Sequence, residues 1–529
     1  TLDIQPTGTV TVQNFVDVDA TGAFTIESEG SLIQVQDQLH ADYVANTGDI
    51  DMKRIANIRQ TDYVFWSSPV ANFPVTSISP GTNTGYIFNW EPTVAQPYAG
   101  DFGIWQNTTE NMINGKGYIV RGPDTFTTAF QNYTATYNGV PNNGTINRTI
   151  TRGTYTGADY AGPSALMVTR SDDNLNLIGN PYPSAIDAID FMTANTTIEG
   201  AVHIWTHGTA PSGAIADPFY DDYVQNYSIA DYITYNSTGT STGAGVFSGN
   251  IGAGQGFFVT MEDTATTSET VTFDNTMRDK TYGNADFYKT SNSSNKATTS
   301  SVEKHRIWLD LTNSNNQNNR ILVGYVTGAT LEKDRLFDAT NINKSNFSLY
   351  SKVDDHKLLI QGRPVPFVDT DKVNLEAVLP SNGEYTFAIN SVDGLFENLD
   401  QGIYIEDLEL NIIHNLKTSP YTFNGESGLQ EGRFLLRYTD ENEELLNIEE
   451  EITNNELSIF TANNQVTVVS NTSNIKSFTM YDVNGRLLVN NRNLNITEYS
   501  INTNNYSTGT YLVTIELNDG RSLTKKVVF

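Results

Sequence analysis

An all-β protein of several modules is what this sequence predicts, and three observations predict it. Short apolar and aromatic runs alternate with Gly, Asn, Thr and Pro turns along the whole chain, as in GTVTVQNFVDV, GYIVRG, GQGFFVTM and GRFLLRY. This is the period-two signature of half-buried strands. At 529 residues the chain exceeds what one core fills, since a domain takes roughly 100–200 residues. Helical periodicity is confined to one candidate, SAIDAIDFMTAN at 184–195, with Ser184 as its expected cap.

Taken in order, residues 1–54 repeat a Gly turn followed by alternating residues, at 8–12, 22–26, 30–33 and 48–52. Stacked strands suit this phrase, so the segment reads as the end of a β-solenoid or stalk, with a β-meander as the alternative. Residues 55–165 and 166–288 then carry four landmarks in the same order. YVFWSSPV is matched by NLIGNPYPS, Trp90 by Trp205, INGKGYIVRG by IGAGQGFFVT, and one alternating run by another. These landmarks predict two tandem β-sandwich repeats, the second with an aromatic and acidic insertion. Residues 289–304 are small, polar and aperiodic, a linker. Residues 305–439 form a further β-sandwich. The acidic run at 440–456 reads as a solvated connector, and 457–529 as a small Ig-like sandwich of short, evenly spaced strands with turn signals at Asn484-Gly485 and Asp519-Gly520.

Charge and composition narrow the function. With 61 acidic and 31 basic residues the net charge is −30, which repels phosphate backbones, so nucleic acid is excluded as a partner. Cysteine is absent, which removes disulfides, thiolate metal sites and thiol nucleophiles and leans toward a large exported bacterial protein. No run approaches the 18 or more apolar residues of a membrane span. The opening TLDIQPTG, with neither initiator Met nor signal peptide, is expected to be the interior of a longer precursor or mature protein.

Within 457–529, the motifs MYDVNGRLL, YSTGTYLVTI, a Gly-Arg turn and the final KKVVF resemble, in order and spacing, the C-terminal sorting domain of proteins exported by the type IX secretion system of Bacteroidetes-type bacteria. Many members open this domain on a Pro-Asn-Pro turn, where this chain has ELSIFTANNQ. The resemblance implies an address read by the outer-membrane translocon and its β-barrel shuttle protein. It nominates Gly485, Arg486, Gly509, Tyr511, Gly520, Arg521, Lys525, Lys526, Val527 and Phe529 as the recognition set, with Tyr511, Val513, Ile515, Val527 and Phe529 packing inward. The alternative is an edge strand guarded against aggregation by its lysines. The upstream modules resemble the C-terminal portion of very large flavobacterial surface adhesins, some of them involved in gliding.

Chemistry is sparse. His203 and His207 stand four apart in a strand-like context without a zincin glutamate or a third ligand. GAGQGF lacks dinucleotide spacing, and no nucleophile elbow or P-loop is present. The insertion after Trp205 interleaves rings with carboxylates, including Asp217, Tyr220, Asp221, Asp222 and Tyr223. Rings stack on sugars and carboxylates take hydroxyls or calcium, so a glycan-binding or calcium-binding loop is one reading and packing on the sandwich the other. The expectation is a non-enzymatic, secreted, cell-surface adhesin without a required cofactor, whose partners are the translocon, the shuttle, and surface glycans or other surface subunits. The alternative is the carbohydrate-binding accessory region of a polysaccharide hydrolase whose catalytic domain lies upstream.

Overall fold

The computed structural model describes residues 1–95, 102–153, 160–161, 167–168, 174–212, 227–228, 231–243, 247–285, 303–342, 346–440, 457–462, 465–482, 485–507 and 509–528. The protein is all-β, with one short α-helix among the described residues. It divides into two compact units, Thr1–Thr439 and Asp440–Phe529, a division that falls at the start of the acidic run.

The first unit opens as a stack. β1 (Leu2–Ile4) pairs in parallel with β3 (Phe24–Ile26), and β2 (Thr9–Val12) with β4 (Ser31–Gln34). Both registers match residues 22 apart, Leu2 with Phe24 and Thr9 with Ser31. Parallel neighbours joined by turns of the same chain are the geometry of a solenoid coil. β5 (Ile50–Ile58) adds a third parallel rung beside β3. Its other edge pairs antiparallel with β10 (Gln131–Gly139), which fastens the stack to the first repeat.

Two four-stranded antiparallel sheets come next. The first is β6 (Tyr63–Trp66), β9 (Tyr118–Arg121), β7 (Ile87–Ala95) and β8 (Phe102–Asn107), in that spatial order. The second is β12 (Leu175–Gly179), β15 (Gly256–Thr260), β13 (Val202–Trp205) and β14 (Tyr232–Tyr235). In chain order each sheet runs first, fourth, second, third. Each is also flanked by an antiparallel pair, β5–β10 in one case and β11 (Ile146–Thr151) with β16 (Ser268–Phe273) in the other.

Alternation divides every strand between two cores. Val64 and Trp66 face β5–β10, where the Trp66 ring meets Tyr137 at 6.3 Å. Phe65 faces the other way and meets Trp205 and Phe258 of the second sheet at 5.9 and 5.7 Å. Ile178, Phe257 and Ile204 of the second sheet join Phe191 of α1 (Ala188–Ala194) and Phe273 in a separate cluster. Thus the repeats do not pack as self-contained neighbours; their inner faces share one aromatic core. α1 is capped by Asp187, whose Oδ1 accepts from the backbone N–H of Ile189 and Asp190 at 2.7 and 2.9 Å. Ser184, the cap expected from the sequence, instead accepts from Arg278 Nε at 2.8 Å.

The third module is one long sheet coiled over itself. Along its main path the strands are β17 (Lys304–Asn313), β18 (Asn318–Val326), β19 (Ser348–Val353), β20 (His356–Arg363), β21 (Lys372–Leu379), β22 (Gly383–Asp393), β23 (Tyr404–Asp407), β24 (Ile412–Asn415), β25 (Tyr421–Gly425) and β26 (Gly428–Arg437), and a short strand, Ala339–Thr340, pairs with β20 off that path. Phe434 of β26 lies 5.0 Å from Phe387 of β22 and 4.7 Å from Phe423 of β25, strands at the far end of the sheet path, so the layers close face to face. The sandwich docks on the second repeat. Trp308 Nε1 donates to Thr240 O at 2.7 Å, and the Arg335 guanidinium donates to Met192 O and Ile198 O, satisfying carbonyls at and beyond the end of α1.

Among the described residues the second unit is a sandwich of seven strands. β27 (Leu457–Ala462), β28 (Gln465–Ser470) and β31 (Glu498–Asn502) form one sheet. β30 (Leu487–Ile496), β29 (Ile475–Asp482), β32 (Thr510–Leu517) and β33 (Ser522–Val528) form the other. This is the architecture shared by immunoglobulin and fibronectin type III domains. Val466, Val468, Phe478, Met480, Val513 and Ile515 fill the space between the sheets, each fully buried.

Candidate docking edge of the C-terminal sandwich

Alternation in β32 and β33 fixes what the terminal strand presents. Tyr511, Val513, Ile515 and Leu517 point inward and are buried, and Val527, opposite Tyr511, is buried with them. β33 pairs with β32 over seven consecutive residues without a bulge and is the outermost strand of its sheet. Among the described residues no strand pairs with its outer side, which leaves those backbone groups an open edge. The opposite edge, β30, is irregular: its register slips twice against β29, and Asn493 and Asn495 have positive φ. Bulges of this kind spoil an edge for pairing.

Lys525 and Lys526 are both exposed on β33. Being adjacent, they point to opposite faces. Lys526 stands beside Leu512, which is 42 % exposed on the outer face, and Lys525 stands opposite Val513 at the rim of the core face. Neither lysine has a carboxylate partner among the described residues, whereas Lys476 pairs with Glu516, Arg486 with Asp482 and Arg521 with Asp519. Residues 457–529 hold six basic and four acidic side chains in a chain whose net charge is −30. This local reversal of sign is legible in the sequence and singles out the module, but only the pairing pattern shows that Arg492, Lys525 and Lys526 are the cations without a carboxylate partner among the described residues, Arg492 donating instead to Asn490 Oδ1.

The remaining nominated residues separate into different roles. Gly485 and Arg486 sit in the turn after β29, where Arg486 Nε donates to Asp482 Oδ2 at 3.0 Å. Gly520 and Arg521 sit in the turn before β33, where Arg521 folds back on Asp519. Asp482 lies beside Tyr511 and Ile475 beside Leu517, so the two Gly-Arg turns occupy opposite ends of one sheet, roughly 20 Å apart at strand rise. They are not one binding cluster. Gly485 and Gly520 adopt φ of 77° and 93°, the backbone reason for glycine at both turns. Tyr511 opens β32, and its hydroxyl donates to Ser507 O at 2.6 Å. This is the tyrosine corner of such sandwiches, a role in the fold. Val527 is core and Gly509 half-buried. Phe529 lies outside the described residues.

The candidate glycan or calcium site fares differently. Trp205 is no exposed platform: it is 4 % exposed, stacks on Phe65 at 5.9 Å, and donates from Nε1 to Tyr63 O at 3.0 Å. The described aromatics at the ends of the insertion pack in the same way, with Tyr227 against Tyr63 and Trp205 and Tyr232 4.9 Å from Trp205. Asp231 accepts from the N–H and hydroxyl of Thr209, and burial raises its pKa. Asp217, Tyr220, Asp221, Asp222 and Tyr223 lie outside the described residues. No group of three or more His, Cys, Asp or Glu suited to a metal occurs among the described residues. His203 is buried against Thr234 Oγ1 at 2.8 Å, and desolvation pushes its pKa down to about 4; His207 bonds Asn57 O.

Residues 1–438 match the model of a family described as Domain of unknown function (DUF8693), and residues 445–529 match a second described as Domain of unknown function (DUF8694). The chain belongs to the first of these families, whose model spans most of its length. No curated protein matches it. Among solved structures, a central fibronectin-III array of RIM-binding protein is similar at 9% identity over 67% of this chain and 92% of that one, with a TM-score of 0.11.

Proposed function

We propose that this chain is part of a secreted, non-enzymatic cell-surface adhesin, whose second unit is the address that a type IX translocon and its β-barrel shuttle protein read at the outer membrane. The observation that carries the reading is the terminal edge: a regular, unbulged outer strand whose two exposed lysines are unmatched among the described residues, in an otherwise strongly acidic chain. An open strand edge offers main-chain hydrogen bonds to a receptor, and adjacent lysines offer charge on both faces of the strand. The stacked coils and sandwiches of the first unit suit a display scaffold. No helix among the described residues is long and apolar enough to cross a membrane.

Deleting residues 457–529 is expected to leave the protein inside the cell, as read by surface proteolysis and fractionation. A Lys525→Glu, Lys526→Glu double variant is expected to lose surface display while keeping its melting temperature, because both side chains are exposed. Undiminished display of either variant would overturn the assignment.

A further inference from the structure

At one end of the third sandwich three loops surround an open pocket of about 190 Å³. One wall is the turn between β17 and β18, a second the turn between β21 and β22, and the third the residues entering β19. We propose that this pocket binds a single neutral sugar residue, the terminal or branch unit of a glycan.

The walls are prebuilt. Asn313 knots the first turn, its Oδ1 accepting from the N–H of Asn315 and Gln317 at 3.0 Å each and its Nδ2 donating to Gln317 Oε1 at 2.6 Å. The second turn is tied by Tyr385, whose hydroxyl donates to Ser381 O at 2.7 Å, and by Asn382 Oδ1, which accepts from Ser427 N at 2.8 Å. The rings of Phe347 and Tyr385, 5.9 Å apart and nearly fully buried, form the floor. A site held in shape before its ligand arrives loses less entropy on binding.

The groups facing the space are matched to hydroxyls. Asn315, Asn346, Ser314 and Glu384 are exposed, line the pocket, and make no side-chain hydrogen bond among the described residues. A planar amide both donates and accepts, and a carboxylate accepts from two neighbouring hydroxyls at once, the pairing that vicinal sugar hydroxyls need. Among the described residues no Lys, Arg or His lines the pocket and Glu384 is its one carboxylate, so the described walls offer an anion no counter-charge. The lone carboxylate also falls short of the several charged oxygens that calcium takes. The volume suits one pyranose ring and not a longer chain in extended contact.

The proposal rests on this pocket alone and does not depend on how the chain is exported. Its test is ligand-observed NMR on the full chain with glucose, galactose, mannose and N-acetylglucosamine as probes, and N-acetylneuraminic acid as the anionic comparison. At least one neutral sugar is expected to bind in the millimolar range, and the anionic one not to bind. Asn346→Ala and Glu384→Ala should each weaken that binding about tenfold, the scale of a lost hydrogen bond to a charged or well-placed polar group. Both variants are expected to keep the parent melting temperature, since neither side chain holds a turn together. Absence of binding by every neutral sugar, or binding that both variants leave unchanged, would overturn the inference; surface display is unaffected in either case.

Discussion

Set side by side, the two repeats of the first unit differ in many side chains and share the strand order of their sheets and a set of reciprocal contacts between them. Trp66 bridges to Gln255, and Ile178 bridges to Lys116. Ser67 N donates to Gly254 O at 2.7 Å, and Gly179 N donates to Gly115 O at 3.1 Å. Trp90 Nε1 donates to Leu175 O of the second sheet, and Trp205 Nε1 donates to Tyr63 O of the first. Each bond has its counterpart with the repeats exchanged, the self-complementary pattern of an isologous dimer within one chain. Gly115 and Gly254 both take positive φ, 76° and 68°, ahead of the strand that the partner sheet grips. Main-chain geometry and two tryptophans hold the tandem arrangement, while the outer faces were free to diverge. The first repeat is covered by the β5–β10 pair that continues the solenoid, the second by β11–β16 and the helix.

The largest test of that symmetry is to remove each tryptophan in turn. Trp90→Ala and Trp205→Ala are each expected to destabilise the first unit by ~3–5 kcal/mol, measured by chemical denaturation. A large loss at one and a negligible loss at the other would show that the reciprocal geometry is not reciprocal in energy. Next comes the close approach of the sheets. A Cβ on Gly117 would lie 2.5 Å from Leu177 Cγ and 2.7 Å from Ile178 O, whereas one on Gly256 would lie no nearer than 3.1 Å to Phe65. Gly117→Ala should therefore cost about 2–3 kcal/mol and Gly256→Ala less, locating the tighter half of the interface.

A third test uses a position where the repeats differ in chemistry. Phe88 pairs with Ile119 as His203 pairs with Phe258, so a phenyl ring in one repeat stands where an imidazole stands in the other. Burial holds the His203 pKa near 4 in the fold, against about 6.5 in the unfolded chain. Only the unfolded chain takes up the proton between those values. Stability is therefore whole above pH 6.5 and lost as pH falls toward 4, by roughly 2–3 kcal/mol. His203→Phe, the first repeat's own solution, should flatten that acid limb in denaturation measured against pH. Asp338 tilts the other way: burial pushes its pKa up to about 7 while it accepts from the N–H of Gly362 and of Asp334, in the loop that docks on the second repeat. Its contribution is whole below pH ~4 and is lost as pH rises through 7, and Asp338→Asn should remove that slope. The smallest effect is the coupling between the tryptophans. Trp90→Phe and Trp205→Phe each delete one buried donor at a cost of about 1–2 kcal/mol, and their double variant should depart from additivity by less than about 1 kcal/mol, because the bonds lie on different strands.

Much of the fold is legible in the sequence, and the reasons are local. Period-two alternation and Gly or Asn turns identify strands because side-chain direction in a strand depends only on parity. The repeat landmarks, YVFWSSP against LNLIGNP and GKGYIV against GQGFFV, occupy equivalent places in the two sheets. Inward packing of Tyr511, Val513, Ile515 and Val527 follows from the same parity. Trp205 marks the limit: an aromatic residue beside an acidic insertion looks the same in sequence whether its ring meets a sugar or the core of a facing sheet. Ser184 and Asp187 are both able caps, and the choice between them was made by Arg278, far along the chain.

By itself, the sequence determined the class of fold and the inward packing of Tyr511, Val513, Ile515 and Val527, since each depends on neighbours within a few positions. Only the tertiary structure decided that the two repeats share one core, that the Gly-Arg turns lie at opposite ends of a sheet, and that Lys525 and Lys526 alone among the terminal module's lysines lack a carboxylate partner in the described residues. Those outcomes depend on which strand lies beside which, a choice made by backbone pairing and ring packing between segments tens to hundreds of residues apart.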